Sequence, residues 1–308
     1  MEGTNARERR LRQRARRYWP LAGMTLTLPG AARPYSIAQP AFPDDLLDEL
    51  AARPARAILS RSAVRVPANG HPILRAAATE ARRKVDSGGH LPYWGLLWPS
   101  GLALAEELLH AGAVAECAPL PGRWAQQAMP LQDEGRDASA SVVSAHKEEG
   151  PGVRFSRALE LGCGLGVTAT AALDAGLALT AADCFPEALA FCRYNTLRNL
   201  GWTPTTRLVD WRTETGRTAL TLAAPYDLLL AADVLYEEPD SALLLELAPQ
   251  LVGPGGHFWL AEPGRRVSLR FVAEALARGW EDAPMVYERL WPPDGEYARV
   301  TVHRFLVA

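Results

Sequence analysis

From Arg157 onward, short apolar runs alternate with segments whose apolar positions recur at helical spacing. The runs at 158–161, 178–182, 206–209, 227–232 and 256–261 are short and mostly apolar. That pattern predicts strands of a parallel sheet covered on both faces. Helix patterns fill the gaps at 166–176, 186–200, 240–251 and 267–278. Pro186 stands where a first helical turn tolerates it, and Gly201 closes that helix. Gly253, Gly255 and Gly256 close the next one. Then the period changes. Met285 to Trp291 and Tyr297 to Val307 flank Pro292-Pro293-Asp294-Gly295, which predicts an antiparallel hairpin. The expected fold is α/β, a mostly parallel Rossmann-like sheet ending in a C-terminal antiparallel hairpin.

Upstream the pattern is weaker. Leu91-Pro92-Tyr93-Trp94-Gly95 opens a segment that runs through Trp98-Pro99-Ser100-Gly101 into an amphipathic helix carrying Leu102, Ala105, Leu108 and Leu109. Ser100 is its candidate cap. Residues 1–89 are Arg-, Ala- and Pro-rich and are expected to form an N-terminal extension: a basic tail, then a small α/β lead-in with a helix near Pro43 to Ala52 and a strand near Ala63 to Pro67. Residues 90–308 are expected to form the main domain. Within it, 113–153 has scattered Gly, Pro, Ser, Asp and Glu without a sustained period, the composition of a flexible insertion.

Composition narrows the class. Of 308 residues, 48% are apolar and 22% charged, with a net charge of −2, so no whole-chain affinity for nucleic acid is expected. Seven arginines between Arg7 and Arg17 read as a solvated tail or a basic arm. Arg16-Arg17 precede the stretch Trp19 to Leu28, but Pro20, Gly23 and Pro29 break it, so an export signal is not expected. No apolar run reaches the roughly 18 residues that span a bilayer. Cys117, Cys163, Cys184 and Cys192 form no C-x-x-C pair, which argues against zinc or redox motifs and suits a reducing cytoplasm. No metal-ligand spacing is legible.

The chemistry starts at residues 158–166, Ala-Leu-Glu-Leu-Gly-Cys-Gly-Leu-Gly. An apolar strand carries Glu160, and Gly162, Gly164 and Gly166 follow at alternate positions. Glycines admit a ligand where a Cβ would clash, and a strand, a tight turn and a helix N-terminus together make a nucleotide-type site. A dinucleotide fingerprint begun at Gly162 would need glycine at Val167. An acidic residue followed by G-x-G-x-G instead resembles motif I of the S-adenosylmethionine-dependent methyltransferases. The five strand-helix units and terminal hairpin resemble that group's seven-stranded fold.

Ligands of such sheets lie beyond the strands' carboxyl ends, where acidic residues recur. The second strand ends at Asp183, whose oxygens can accept both ribose hydroxyls. The third ends at Asp210-Trp211, a carboxylate for an adenine amine beside a flat indole. The fourth ends at Asp233-Val234-Leu235-Tyr236 and the fifth at Glu262-Pro263-Gly264-Arg265. Together these residues predict an S-adenosylmethionine site.

Several of these pieces resemble the family 16 methyltransferases, largely protein-lysine enzymes. Asp233-Val-Leu-Tyr236 is similar to that family's acidic-x-x-aromatic motif. Pro92-Tyr93-Trp94, Trp98-Pro99-Ser100-Gly101 and Glu262-Pro-Gly-Arg265 look like segments of its electron transfer flavoprotein β-subunit lysine methyltransferase branch and bacterial relatives, with Ser100 for a glycine and Glu262 for an aspartate. The resemblance implies N-methylation of lysine in a protein substrate. It makes Asp233 and Tyr236 the catalytic pair. Glu160, the three glycines, Asp183, Asp210, Trp211, Trp98 and Asp233 become the cofactor set. Tyr93, Trp98 and Tyr236 are candidate walls of an acceptor channel. Asp233 orients the amine or holds the cofactor's methionine end. Alternatives are a small-molecule amine as acceptor, or a catalytically inactive cofactor-binding scaffold. His257 and His303 fall in strand patterns and read as packing or surface residues rather than catalysts.

Overall fold

The computed structural model describes residues 21–41, 71–86, 93–110, 157–253, 255–292 and 295–308. The arginine-rich tail, the expected helix near 43–52, the strand near 63–67 and the 113–153 segment lie outside the described residues.

A central sheet carries β3 (Arg157–Leu161), β4 (Ala178–Asp183), β5 (Thr205–Leu208), β6 (Leu228–Ala232) and β7 (His257–Glu262), all parallel, in the order β5-β4-β3-β6-β7. Next to β7 lies β10 (Glu296–Leu306), antiparallel. Its other edge takes β8 (Glu281–Asp282) and then β9 (Met285–Trp291), so the sheet is seven positions wide with one outer position split. Pro284 sits in the split, where its missing N–H costs no ladder bond.

Alternate residues on the strands feed two cores, the physical reason the strand runs read as continuously apolar. Ala158, Leu228, Leu230 and Trp259 face one side, with α2 (Pro99–Leu109), α3 (Val167–Asp174) and α4 (Pro186–Leu200). Leu159, Leu161, Leu229 and Phe258 face the other, with α5 (Glu214–Thr221), α6 (Glu238–Val252) and α7 (Arg266–Ala277). Each fully buried large side chain contributes about 1.5–3 kcal/mol. On the second side Phe258, Phe271, Trp280 and Phe305 pack edge-on and tilted, with centroids 5.7–6.4 Å apart.

Two elements of the N-terminal region join these layers. The hairpin of β1 (Leu21–Leu26) and β2 (Tyr35–Pro40) adds Leu26, Tyr35 and Ile37 to the first core. Helix α1 (Pro72–Asp86) packs against α5 and β5, past the sheet edge. Neither β1–β2, α1 nor α5 was marked by the apolar pattern, because each offers only a narrow apolar stripe.

Ser100 is not the cap of α2. Trp98 holds the N-cap position and Pro99 the first turn, while Ser100 is inside the helix and buried. Helix α6 begins at Glu238, two residues before the position expected from its apolar spacing. Glu237 and Asp240 form a reciprocal capping box around Pro239. No helix among the described residues is long and apolar enough to cross a membrane.

Candidate active site at the carboxyl ends of the strands

The turn after β3 is built by backbone geometry. Gly162, Gly164 and Gly166 all have positive φ, at 72°, 48° and 80°. A Cβ on Gly166 would stand 2.6 Å from the Cα of Cys192, and one on Gly162 3.0 Å from a methyl of Val234. These positions therefore require glycine for conformation and for space. The N–H groups of Gly162 and Cys163 both donate to the carbonyl of Ala182, at 2.8 and 3.2 Å, which stitches the turn to the neighbouring strand.

Asp183 completes that stitching. Its Oδ2 accepts the N–H of Gly164 at 3.1 Å and its Oδ1 that of Phe185 at 2.9 Å. Burial raises its pKa to about 6 against the pull of these backbone bonds. Glu160 lies beneath the turn. Burial and the neighbouring Asp183 charge push it up to about 8, with a Thr168 hydrogen bond opposing. Its Oε2 is buried with no hydrogen-bond partner among the described residues. A carboxyl oxygen left in that state beside a glycine cradle suits a ligand that brings its own hydrogen-bonding group.

The third strand end is more occupied than its sequence suggests. Asp210 is 1% exposed, accepts the N–H of Arg212 at 3.0 Å and pairs with Lys84 of α1 at 3.4 Å. Trp211 is buried. Arg212 links this end to the next. Its guanidinium lies 4.6 Å from the Trp211 ring centroid and 4.7 Å from that of Tyr236. It also forks onto Asp240 at 2.7 and 3.0 Å, a bidentate geometry that fixes its plane. Nothing in the spacing singled out Arg212 or Lys84. A cation directly after Trp211 was the one available signal.

Beyond β6 the chain turns through Asp233, the one non-glycine residue with positive φ among the described residues, at 52°. Its N–H bonds to the carbonyl of Ala261 at 2.9 Å. Arg265 closes a fork on its carboxylate at 2.7 and 3.0 Å. The Asp-x-x-Tyr and Pro-Gly-Arg segments are therefore one unit. Hydrogen bonding to Asp233 raises the Arg265 pKa, with burial opposing. Tyr236 is 38% exposed. Its ring meets Tyr93 edge-on at 6.1 Å, and Tyr93 meets Trp98 edge-on at 6.0 Å. Trp98 donates its indole N–H to the Tyr93 carbonyl at 3.0 Å. The three aromatic residues named from sequence thus form one continuous row.

Glu262 faces away from this row. It accepts Gly264 N–H and the Ser268 hydroxyl, both at 2.6 Å, and approaches His303 at 3.7 Å. His303 is hydrogen-bonded to Asp282 at 2.6 Å. Burial works against a charge on His303, but Asp282 and Glu262 outweigh it and hold the pKa at about 9. His303 is a buried network residue, in line with its reading as packing. No cluster of three or more metal-ligating side chains occurs among the described residues.

No family model matches the chain. The chain is similar to a ubiquinone biosynthesis O-methyltransferase of Pseudomonas aeruginosa, 25% identical over 144 residues that cover 44% of this chain and 60% of that protein. It is also similar to EEF1A lysine methyltransferase 3 of Mus musculus, 30% identical over 131 residues that cover 42% of this chain and 54% of the other. The chain thus spans between about half and three fifths of these relatives' lengths. Among structures, the N-methyltransferase NodS of Bradyrhizobium japonicum with S-adenosyl-L-homocysteine aligns at 20% identity and a TM-score of 0.37, over 49% of this chain and 78% of that one.

Proposed function

We propose that the chain is an S-adenosylmethionine-dependent N-methyltransferase whose acceptor is a lysine side chain of a protein, working in a reducing cytoplasm. The observation that carries the proposal is the glycine turn stitched to Asp183, lying over the unpartnered Glu160 oxygen, at the strand ends where the aromatic row begins.

When bound, the cofactor supplies an electrophilic methyl group on a sulfonium. Asp183 is assigned to the ribose hydroxyls, Asp210 and Trp211 to the adenine end, and Glu160 with the three glycines to the methionine end. Trp98 is assigned with them. The acceptor amine must shed a proton before it attacks. From an ordinary pKa of about 10.4 that costs about 4.6 kcal/mol at pH 7. Tyr93, Trp98 and Tyr236 offer an apolar wall that lowers the cost by withdrawing the ammonium from water. Asp233 orients the amine. The Arg265 fork balances its charge, so the carboxylate does not hold the ammonium in its protonated form as a lone anion would. Positioning and electrostatics then carry an in-line transfer.

A second reading is methyl transfer to a small molecule, favoured by the ubiquinone biosynthesis relatives over the same region. Incubating the purified chain with radiolabelled S-adenosylmethionine and a fractionated lysate separates the two. Label in protein, released as methyl-lysine on acid hydrolysis, is expected. Label confined to the small-molecule fraction selects the second reading. Calorimetric binding of S-adenosylmethionine with no transfer anywhere would leave a cofactor-binding scaffold, and absence of binding would remove the proposal altogether.

A further inference from the structure

Asn195 and Asn199 lie one turn apart on α4, and each meets β2 as a neighbouring strand would. Asn195 Oδ1 accepts the N–H of Ala38 at 2.8 Å, and its amide donates to the Ala38 carbonyl at 2.9 Å. Asn199 treats Ser36 the same way, at 2.7 and 3.0 Å. Two side-chain amides thus satisfy alternate residues of one strand edge, which would otherwise leave polar backbone groups unpaired under the hairpin.

Asn199 goes on only to the Asn195 carbonyl of its own helix, at 2.8 Å, whereas Asn195 reaches the turn. Its amide also donates to the carbonyl of Leu165 at 2.8 Å, inside the glycine turn. The N–H of the same peptide, on Gly166, donates to Cys163 at 2.8 Å. The peptide between residues 165 and 166 is therefore pinned at both ends. It needs to be, because it runs into Gly166, whose missing Cβ makes rotation of that plane about its φ cheap. Asn195 is fully buried, so water does not compete for these bonds. The hairpin is held elsewhere too. Tyr35 donates to Asp174 at 2.7 Å, and Leu21 packs on the cluster of Trp94, Leu165 and Phe185.

We infer that Asn195 is a positioning residue for the glycine turn, and that the N-terminal hairpin is through it a working part of the cofactor site. The inference rests on reading that turn as the S-adenosylmethionine cradle. Asn195→Leu keeps the side chain's shape and removes its polar atoms. Asn199→Leu makes the same change against Ser36 without touching the turn. Calorimetric titration of the full chain should show Asn195→Leu raising the Kd for S-adenosylmethionine by about tenfold, the worth of roughly one buried hydrogen bond. Asn199→Leu should change it by less than about twofold, while both variants lower the melting temperature. Equal effects of the two variants on Kd, tracking their loss of stability, would overturn the inference. Should Asn195→Leu fail to fold, Asn195→Ser carries the same expectation. If the wild-type chain does not bind the cofactor, the reading of the turn fails, and amide hydrogen exchange then tests the latch alone. The Gly166 amide should exchange faster in the Asn195 variant than in the Asn199 variant, and equal rates would sink it.

Discussion

The two halves of the candidate site are built from different materials. The half proposed to hold the cofactor, from β3 to α4, is made of backbone: positive-φ glycines, shared carbonyls and amides donating to Asp183. The half proposed to meet the acceptor is made of side chains from separate segments: Tyr93, Trp98, Arg212, Asp233, Tyr236 and Arg265. A backbone site tolerates few changes, because its shape depends on conformations that most residues do not adopt. A side-chain site can be altered one contact at a time.

The contrast can be broken first at Gly166. Gly166→Val places a branched Cβ against the Cys192 backbone at positive φ. Cofactor binding should disappear and stability should fall by about 2–4 kcal/mol, read by calorimetry and urea unfolding. A variant that still binds would show that the turn is not the cradle. Asp183→Ala comes next. Losing a doubly accepting carboxylate should weaken S-adenosylmethionine binding by about 100-fold or more. In the wild type, affinity should also drop below about pH 6, as Asp183 takes up the proton its raised pKa favours. Unchanged affinity in the alanine variant would remove the ribose assignment.

On the acceptor side the pattern should invert. Asp233→Ala and Tyr236→Ala are each expected to lower kcat by about tenfold or more while leaving cofactor Kd within about twofold. Arg212 holds Tyr236 between its guanidinium and Tyr93 and also stacks on Trp211, so Arg212→Met is expected to lower kcat and weaken cofactor binding together. If either of the first two variants loses cofactor affinity instead, the two halves are not separable. The smallest effect concerns His303. Its folded pKa of about 9 lies above its ordinary value near 6.5, so its stabilisation is complete below about 6.5 and is lost as pH rises through about 9. His303→Gln should therefore be less stable than wild type at pH 6, with the gap closing above pH 9, as thermal unfolding across that range would show. A gap independent of pH would mean that the imidazole carries no charge there.

The inner parallel strands were legible because they are covered on both faces, which forces a continuous apolar run, whereas the C-terminal hairpin, whose β9 is mostly exposed, was legible from the turn residues between its strands. The glycine turn and the acidic strand ends were legible for a related reason: local conformation demands glycine, and sheet topology puts strand ends side by side. Hairpin β1–β2 and helix α1 were not legible, since each buries only a few residues such as Tyr35, Ile37 and Ala81 against distant elements. Ser100 was misread as a cap because serine is a good cap in isolation. Here the cap falls on Trp98, two residues earlier, and Pro99 begins the helix, so the Ser100 side chain falls inside it.

The sequence by itself therefore determined the sheet, its order of strand and helix, and which residues stand at each strand end, all of which depend on residues close together along the chain. Only the tertiary structure decided that Arg265 forks Asp233, that Arg212 lies between Trp211 and Tyr236, that Lys84 reaches Asp210, and that Asn195 ties the hairpin to the turn. Apart from the adjacent Trp211 and Arg212, these are meetings between residues separated by tens of positions, up to 157 in the case of Asn195 and Ala38. A buried charge or amide takes whichever partner the packing brings within about 3 Å, and no local pattern along the chain encodes that choice.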